Sequence, residues 1–380
     1  MAAELRFRVG DVVEVLSKEE ILRSLDSNGQ LDGLPFMPEM LEFCGRRFRV
    51  VKRAHKTCDT VNGYRNRRMR NAVHLEGLRC DGGAHGGCEA GCLIYWKEAW
   101  LRKVGAPGTY SRTPPVAAFR RIDGTQNSAR LCRESDVMAG TQRPGAPDAS
   151  GPLYVCQATQ APAATERIAW WDLRQYIEDY ASGNVSLAGM ACGFMYQGYD
   201  SVMKLGIGVG APMRWLYDVF QRLRGGVPYP GRAGCIPVGR PTPTGPAELK
   251  AGDLVRVKEY DAILATCDQT GRNRGMTFDA EMVPYCGGTY RVLKRVARIV
   301  DERTGRMQAI SNPCIILDGV VCQGRYSSRR LFCPRSIYPY WREIWLERVP
   351  EHSDQSGGSA GGVGRSVEGG SAMPLARHHT

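Results

Sequence analysis

The sequence predicts an α+β protein in which two copies of a β-rich module flank a small helical domain. Three observations lead to this fold class. The 380-residue chain repeats a segment of its own sequence, each copy is rich in β-branched strand-forming runs, and the segment between them spaces its apolar residues for helices. A chain of this length usually divides into two or three domains, which agrees with such an arrangement.

The internal repeat can be followed residue by residue. Residues 10–15 (GDVVEV) correspond to residues 252–257 (GDLVRV), and the same offset continues without a gap through identical positions such as Glu39. The offset grows by three residues in the last third of the repeat. Chance does not produce such a match. The cysteines that recur at matching places are Cys44 with Cys286, Cys80 with Cys322, and Cys88 with Cys333.

The repeat and the composition between its copies set the expected domain boundaries. The middle of the chain begins with a run rich in Pro, Gly, Ala, Ser and Thr and continues with three helical patterns, which start near Trp170, Val185 and Met213. We expect a first module at residues 1–104, a Pro/Gly-rich linker at 105–165, a helical domain at 166–247, a second module at 248–350 and a disordered tail at 351–380.

Each module opens with a predicted strand and repeats the strand pattern after a turn-rich stretch. In the first module the strands are expected at Val9 to Val15 and at Phe48 to Val51. The short strands, the frequent glycines and the opening VGDVVEV resemble the small SH3-like or KOW-type barrels. This resemblance implies a small barrel for each module, and it implies no function because such barrels support many.

Both modules end in a similar aromatic segment, YWKEAWL at residues 95–101 and YWREIWL at residues 340–346. On a helix, Trp96 and Trp100 would share one face because they are four residues apart. We interpret this segment as a core helix that packs on the barrel. The alternative is an aromatic platform for sugar rings or bases.

The composition indicates which cellular compartment and which kinds of partner to expect. The net charge of +12 and a pI near 9.1 leave room for a polyanionic partner, and a protein partner is the other possibility. The amino terminus has no apolar segment behind a basic one, so we expect a cytoplasmic protein without a transmembrane segment. Thiols stay reduced there, so the 14 cysteines are better interpreted as metal ligands or buried residues than as disulfides.

The recurring cysteines predict a thiolate-rich zinc site in each module. A structural zinc ion needs four nitrogen or sulfur ligands, and three shared thiols leave one position open. The alternative is that the paired cysteines are small buried residues at equivalent packing positions. The candidate ligands are Cys44, Cys80, Cys88 and either His85 or Cys92 in the first module, and Cys286, Cys314, Cys322 and Cys333 in the second.

These features predict a zinc-stabilised binding or scaffold protein. A metal-dependent enzyme is the alternative, with its active centre at Cys80, His85, Cys88 and Cys92, where His85 or His74 could move protons. The oligomeric state stays open.

A third hypothesis is binding of nucleic acid or another polyanion through a basic cluster. The alternative is that this run of charge forms a solvated basic face, since few aromatic residues are interleaved. The cluster consists of Arg46, Arg47, Arg49, Lys52, Arg53, Lys56, Arg65, Arg67, Arg68 and Arg70.

Overall fold

The computed structural model describes residues 6–63, 65–104, 131–144, 151–205, 210–246 and 248–350. Within these residues the protein has an α+β fold in which antiparallel sheets are combined with short helices, as the sequence predicts. The predicted disordered tail at 351–380 and most of the first half of the predicted linker lie outside the described residues.

The first module is organised around an antiparallel sheet. Its helix α1 begins with a capping box, in which the Ser17 hydroxyl accepts from the Glu20 amide and the Glu20 carboxylate accepts from the Ser17 amide. The elements are β1 (Val12–Val15), α1 (Lys18–Ser24), β2 (Gln30–Leu31), β3 (Leu34–Pro35), β4 (Arg47–Arg53), β5 (Lys56–Cys58), β6 (Asn66–Met69), β7 (Ala72–Leu75), β8 (Trp96–Lys97) and β9 (Leu101–Lys103). The main sheet has the order β8-β7-β4-β1-β9.

The middle of the chain contains the three predicted helices, and it also packs on the first module. Part of the predicted linker is ordered, since Cys132, Val137 and Cys156 are buried in the first module's core. The elements are α2 (Glu134–Ala139), β10 (Gln142–Arg143), β11 (Leu153–Tyr154), α3 (Gln157–Gln160), β12 (Thr165–Arg167), α4 (Arg174–Ala181), α5 (Leu187–Met203) and α6 (Gly210–Arg224). Among the described helices, none is both long enough and apolar enough to cross a bilayer.

The second module pairs its strands in the same register as the first. Val13 lies opposite Phe48, and Val255 lies opposite Tyr290, at the offset of the sequence repeat. The elements are β13 (Leu254–Val257), α7 (Tyr260–Leu264), β14 (Arg272–Asn273), β15 (Met276–Thr277), β16 (Thr289–Val300), β17 (Met307–Leu317) and β18 (Leu346–Arg348). The main sheet has the order β17-β16-β13-β18, and the module has its own apolar core.

The prediction that YWKEAWL forms a helix is wrong, although its assignment to the core is confirmed. Trp96 pairs with Val73 in the sheet, residues 98–100 form one turn of 3₁₀ helix, and Leu101 pairs with Val15. The segment therefore passes from one edge of the sheet to the other. The two tryptophans of each module are fully buried, which excludes an exposed aromatic platform.

Helix α4 is joined to the first module by a buried ion pair. The Lys56 ammonium lies 2.5 Å from the Asp179 carboxylate, and both side chains are 0 % exposed. Next to it, Arg53 of β4 forms ion pairs with Glu98 and Glu178. A buried charge is tolerated only when it is paired, so these contacts make the position of α4 dependent on the first module.

Removal of one member of the buried pair should therefore weaken the fold. We expect Asp179→Ala to lower the free energy of unfolding by about 3–5 kcal/mol, because it leaves the Lys56 ammonium buried without a counter-ion. Urea unfolding followed by circular dichroism measures this. Glu166→Ala, which removes the exposed partner of Arg70, is the control and should leave the midpoint unchanged. Equal midpoints for both variants would contradict the assigned role of Asp179.

Candidate metal centre

One cluster of potential metal ligands is present among the residues that the structure describes. It consists of Glu39, Cys80 and His85, whose ligand atoms all lie within 4.8 Å of one another. The Cys80 Sγ and the His85 Nε2 are 3.4 Å apart. Glu39 lies in the 3₁₀ helix Pro38–Phe43, and His85 is the last residue of the 3₁₀ helix Gly83–His85.

Glycines allow the loop to bring His85 to Cys80. Gly82 and Gly86 flank the short 3₁₀ helix, with φ of 80° and 74°, in the left-handed region that other residues disfavour. A Cβ atom at Gly82 would lie 1.9 Å from the carbonyl oxygen of Cys88. The tight course of this loop therefore depends on Gly82.

Several buried polar atoms of the cluster lack a well-formed hydrogen bond within the described residues. Both carboxylate oxygens of Glu39 and the Nδ1 of His85 are buried, and none of these atoms has a partner with good hydrogen-bond geometry among the described residues. The Cys80 thiol and the Glu39 amide lie close enough to the carboxylate to lower the pKa of Glu39, against the larger effect of burial. Burial raises the pKa of Glu39 and that of Cys80, and burial lowers the pKa of His85. Burial thus disfavours the charged form of each group. A divalent cation would reverse this preference for Glu39 and Cys80 because it stabilises their anionic forms.

In the second module, the carboxylate at the corresponding position accepts hydrogen bonds from the backbone. Glu281 occupies the position of Glu39, and it accepts backbone N–H bonds from Arg325 at 3.1 Å and from Tyr326 at 2.6 Å. The loop that carries both donors is three residues longer in the second module than in the first.

A fixed positive charge also lies in the second module. Arg330 ends the 3₁₀ helix Ser328–Arg330 and occupies the position of His85. Burial raises the pKa of Glu281 and raises that of Cys322 to about 12, and the charge of Arg330 opposes both shifts. The guanidinium group thus provides part of the positive potential that a metal ion would provide.

Three of the predicted ligands, all cysteines, lie away from both the Glu39 cluster and the surroundings of Glu281. Cys44 follows the 3₁₀ helix Pro38–Phe43, where burial raises its pKa and the charge of Lys18 in α1 lowers it. Cys286 has the equivalent position in the second module. Cys314 lies within β17, where its Sγ is 3.5 Å from a guanidinium nitrogen of Arg342. The structure brings none of these three thiols to a metal cluster among the described residues.

Cys88 and Cys333 lie where the two modules meet. The Sγ of Cys88 accepts from the Val300 amide at 3.3 Å, and the Sγ of Cys333 accepts from the Cys58 amide at 3.2 Å. Cys58 and Val300 correspond to each other at the repeat offset, so the two contacts are equivalent. The recurrence of this cysteine is therefore explained by packing between the modules.

A cavity adjoins the Glu39, Cys80 and His85 cluster. Cys88, Cys92 and Cys156 line it together with the cluster, and so do Tyr95, Gln157, Glu302 and Arg335. Burial raises the pKa of Cys92 to about 12 and that of Cys156 to about 11. Cys92, which was predicted as an alternative to His85, therefore lines the cavity but is not part of the three-residue cluster.

Sequence reasoning did not identify Glu39 as a ligand. A signal was present, since Glu39 and Glu281 are identical at the repeat offset and both are glutamates on short segments that also carry buried residues. Carboxylates are less distinctive in sequence than thiols and imidazoles because they are usually exposed.

Most of the predicted basic cluster is used within the molecule. Arg46 lies over the rings of Phe43 and Phe48, and Lys52 donates to the carbonyl of Asn184. Ion pairs join Arg47 to Glu14, Arg49 to Glu76, Arg53 to Glu98 and Glu178, Lys56 to Asp179, Arg67 to Asp59, Arg68 to Asp172, and Arg70 to Glu166. The exception is Arg65, which is exposed and without such a partner among the described residues.

His74 is a core residue in this structure. Its Nδ1 is 2.8 Å from the carbonyl oxygen of Ile94, and its ring packs on Tyr95 with the centroids 4.6 Å apart. It does not line the cavity beside the metal cluster. The structure therefore gives no support to His74 as a proton carrier for that site.

Comparison with known protein families found no match, and a search of curated proteins found no similar sequence. The site is therefore interpreted from its geometry and chemistry.

The buried imidazole of His74 predicts a loss of stability in mild acid. Burial lowers its pKa from 6.5 to about 4 in the folded protein, so below pH 6.5 the unfolded chain binds a proton that the folded chain does not. Between pH 7 and pH 5 this difference should lower the free energy of unfolding by about 2 kcal/mol. Urea unfolding at both pH values measures the loss. In His74→Gln the loss should be smaller, and an unchanged loss would contradict the assignment.

Proposed function

We propose that this chain is a zinc-stabilised binding or scaffold protein built from two SH3-like modules. One zinc ion would be bound in the first module by Glu39, Cys80 and His85. The observation that carries the proposal is the close approach of these three ligand atoms, in which the buried Glu39 carboxylate has no partner with good hydrogen-bond geometry among the described residues.

The donor set supports zinc in particular. Zinc accepts oxygen, sulfur and nitrogen ligands together, whereas calcium and magnesium prefer oxygen ligands alone. Burial of the ionised Glu39 carboxylate with few hydrogen bonds is unfavourable in free energy when no metal is bound, and binding to a cation would offset this. Zinc would also connect two segments that are far apart in sequence, the 3₁₀ helix of Glu39 and the loop of His85. We expect the ion to stabilise the fold of the first module through this connection.

We further propose that the second module binds no zinc. Glu281 already accepts two backbone N–H bonds, and the Arg330 guanidinium stands where the first module has an imidazole. An arginine side chain stays protonated and cannot serve as a metal ligand in this setting. The proposed stoichiometry is therefore one zinc ion per chain.

Exposed apolar side chains on the helices support the binding role. Trp170 and Trp171, which precede α4, are 80 % and 67 % exposed, and Trp215 and Leu223 of α6 are 67 % and 82 % exposed. Large apolar side chains that remain exposed in numbers usually mark an interaction surface. We propose that these helices contact a protein partner.

A metal-dependent enzyme is the second candidate, and the same site would be its active centre. The observation in its favour is that three protein ligands leave one coordination position, and that the cluster adjoins a cavity. Catalytic zinc sites keep such a position for water or substrate, whereas structural sites are usually closed by a fourth protein ligand.

Zinc content tests the assignment of ligands. The purified protein should contain about one zinc ion per chain by elemental analysis, and Glu39→Gln and Cys80→Ser should each lose most of it because each removes one ligand. The matched controls are Glu281→Gln and Cys322→Ser, which should keep the zinc content of the unchanged chain. Absence of zinc from the unchanged chain, or equal loss in the controls, would show the assignment to be wrong.

Metal removal distinguishes the two candidate functions. For a stabilising ion held at about 1,000 times its Kd, chelation should lower the free energy of unfolding by about 4 kcal/mol. Thermal unfolding with and without a chelator measures this shift, and Glu39→Gln should be insensitive to the chelator. A chain that keeps its melting temperature after losing zinc would contradict a stabilising role and favour the enzyme.

A further inference from the structure

We infer that a pocket lined by four arginines, at the junction of the first module, β12 and the second module, binds a phosphate group. Its charged and polar lining residues are Asp59, Asn62, Arg65, Asn66, Arg67, Arg167 and Arg329. This inference does not depend on the proposed zinc site, since the two sites share no lining residue.

The fold places three of the arginines on one face of a small sheet. Strands β12, β6 and β5 form this sheet, in which Arg167 lies directly opposite Arg67. Arg65 is two residues before Arg67, so it lies on the same side of an extended chain. Like charges directly opposite each other on neighbouring strands destabilise a sheet. An anion between them would remove that repulsion.

The fourth arginine comes from a distant part of the sequence. Arg329 lies in the 3₁₀ helix Ser328–Arg330 of the second module. One of its guanidinium nitrogens lies 3.9 Å from the position that a Cβ atom would occupy at Gly63. Gly63, in the turn between β5 and β6, has a φ of 91°. The glycine thus allows the turn and leaves room for the guanidinium group beside it.

The charges in the pocket are compensated only in part. Asp59 is the acidic residue of the lining, and it accepts from Asn62 and from the Val61 amide while Arg67 lies 3.5 Å away. Arg67 is further held by hydrogen bonds to Thr165 and Pro162. Its position is therefore set by the protein, and one negative charge opposes its positive charge.

The other three guanidinium groups are available to a ligand. Arg65, Arg167 and Arg329 are exposed, and none of them has an ion-pair partner among the described residues. Arginine is the side chain best suited to phosphate, because its planar group can donate two parallel hydrogen bonds. Three such groups around one pocket match the three peripheral oxygens of a phosphate monoester.

A buried acceptor adds to the specificity of the pocket. Asn66 is 9 % exposed, its amide nitrogen donates to the carbonyl of Leu331, and its Oδ1 is buried with no hydrogen-bond partner in the described part of the chain. A protonated phosphate oxygen, or a hydroxyl group of the ligand next to the phosphate, could donate to this atom. Asn66 therefore favours a phosphate ligand with a donor over a fully deprotonated anion.

Isothermal titration calorimetry tests this inference with two probes, inorganic phosphate and a short single-stranded oligonucleotide, on the full chain at low salt. We expect saturable binding that weakens about 10-fold or more in Arg167→Gln and in Arg329→Gln, because each loses charge-assisted hydrogen bonds. Arg240→Gln removes an exposed arginine outside the pocket. It is the matched control and should change the affinity less than about twofold.

The two probes distinguish the sources of the phosphate group. Binding of inorganic phosphate with this pattern of variants supports a small phosphorylated ligand, and binding of the oligonucleotide alone supports a phosphate within a polymer. If neither probe binds saturably, or if Arg240→Gln weakens binding as much as Arg329→Gln does, the inference is overturned. Circular dichroism of each variant shows whether the fold is retained, which we expect because these side chains are exposed.

Discussion

The packing of one phenylalanine against two tryptophans holds each module together. The Phe36 ring lies edge-on to Trp96 at 6.2 Å and to Trp100 at 5.2 Å between ring centroids. Its counterpart Phe278 makes the same two contacts in the second module. Glu39 follows Phe36 by less than one turn, and the loop with the other two candidate ligands precedes Trp96. This aromatic cluster therefore helps to bring the two segments of the candidate metal centre together.

The two modules carry a glutamate at the same position, and they differ in the groups that surround its carboxylate. In the second module a longer loop gives Glu281 two backbone donors, and Arg330 supplies a nearby positive charge. In the first module the loop is shorter by three residues, and Glu39 lies next to the thiol of Cys80 and the imidazole of His85. A buried charge requires compensation wherever it lies. The two modules thus differ in the groups that surround the glutamate at this position, and the neighbouring loop differs by three residues in length.

Charge compensation also decides which basic residues are available to partners. In sequence, residues 46 to 70 form an almost uninterrupted basic run, which suggests an extended polyanion surface. In the fold, acidic residues from α4 and the preceding segment neutralise much of that run. Three arginines without an ion-pair partner among the described residues, Arg65, Arg167 and Arg329, meet at one pocket although they come from three separate parts of the chain. Net charge alone could not locate it, because pairing depends on tertiary contacts.

The sequence by itself determined the α+β class, the register of the repeat, the three helices of the middle segment and the burial of residues such as Trp96 and Trp100. These features follow from local periodicity and from comparison of the chain with itself. Only the tertiary structure decided that the segment around Trp96 passes between sheet edges, that Cys88 and Cys333 join the modules, and that Glu39 meets a thiol and an imidazole. Each of these outcomes depends on atoms from segments far apart in sequence, and neither residue type nor spacing specifies which of them come into contact.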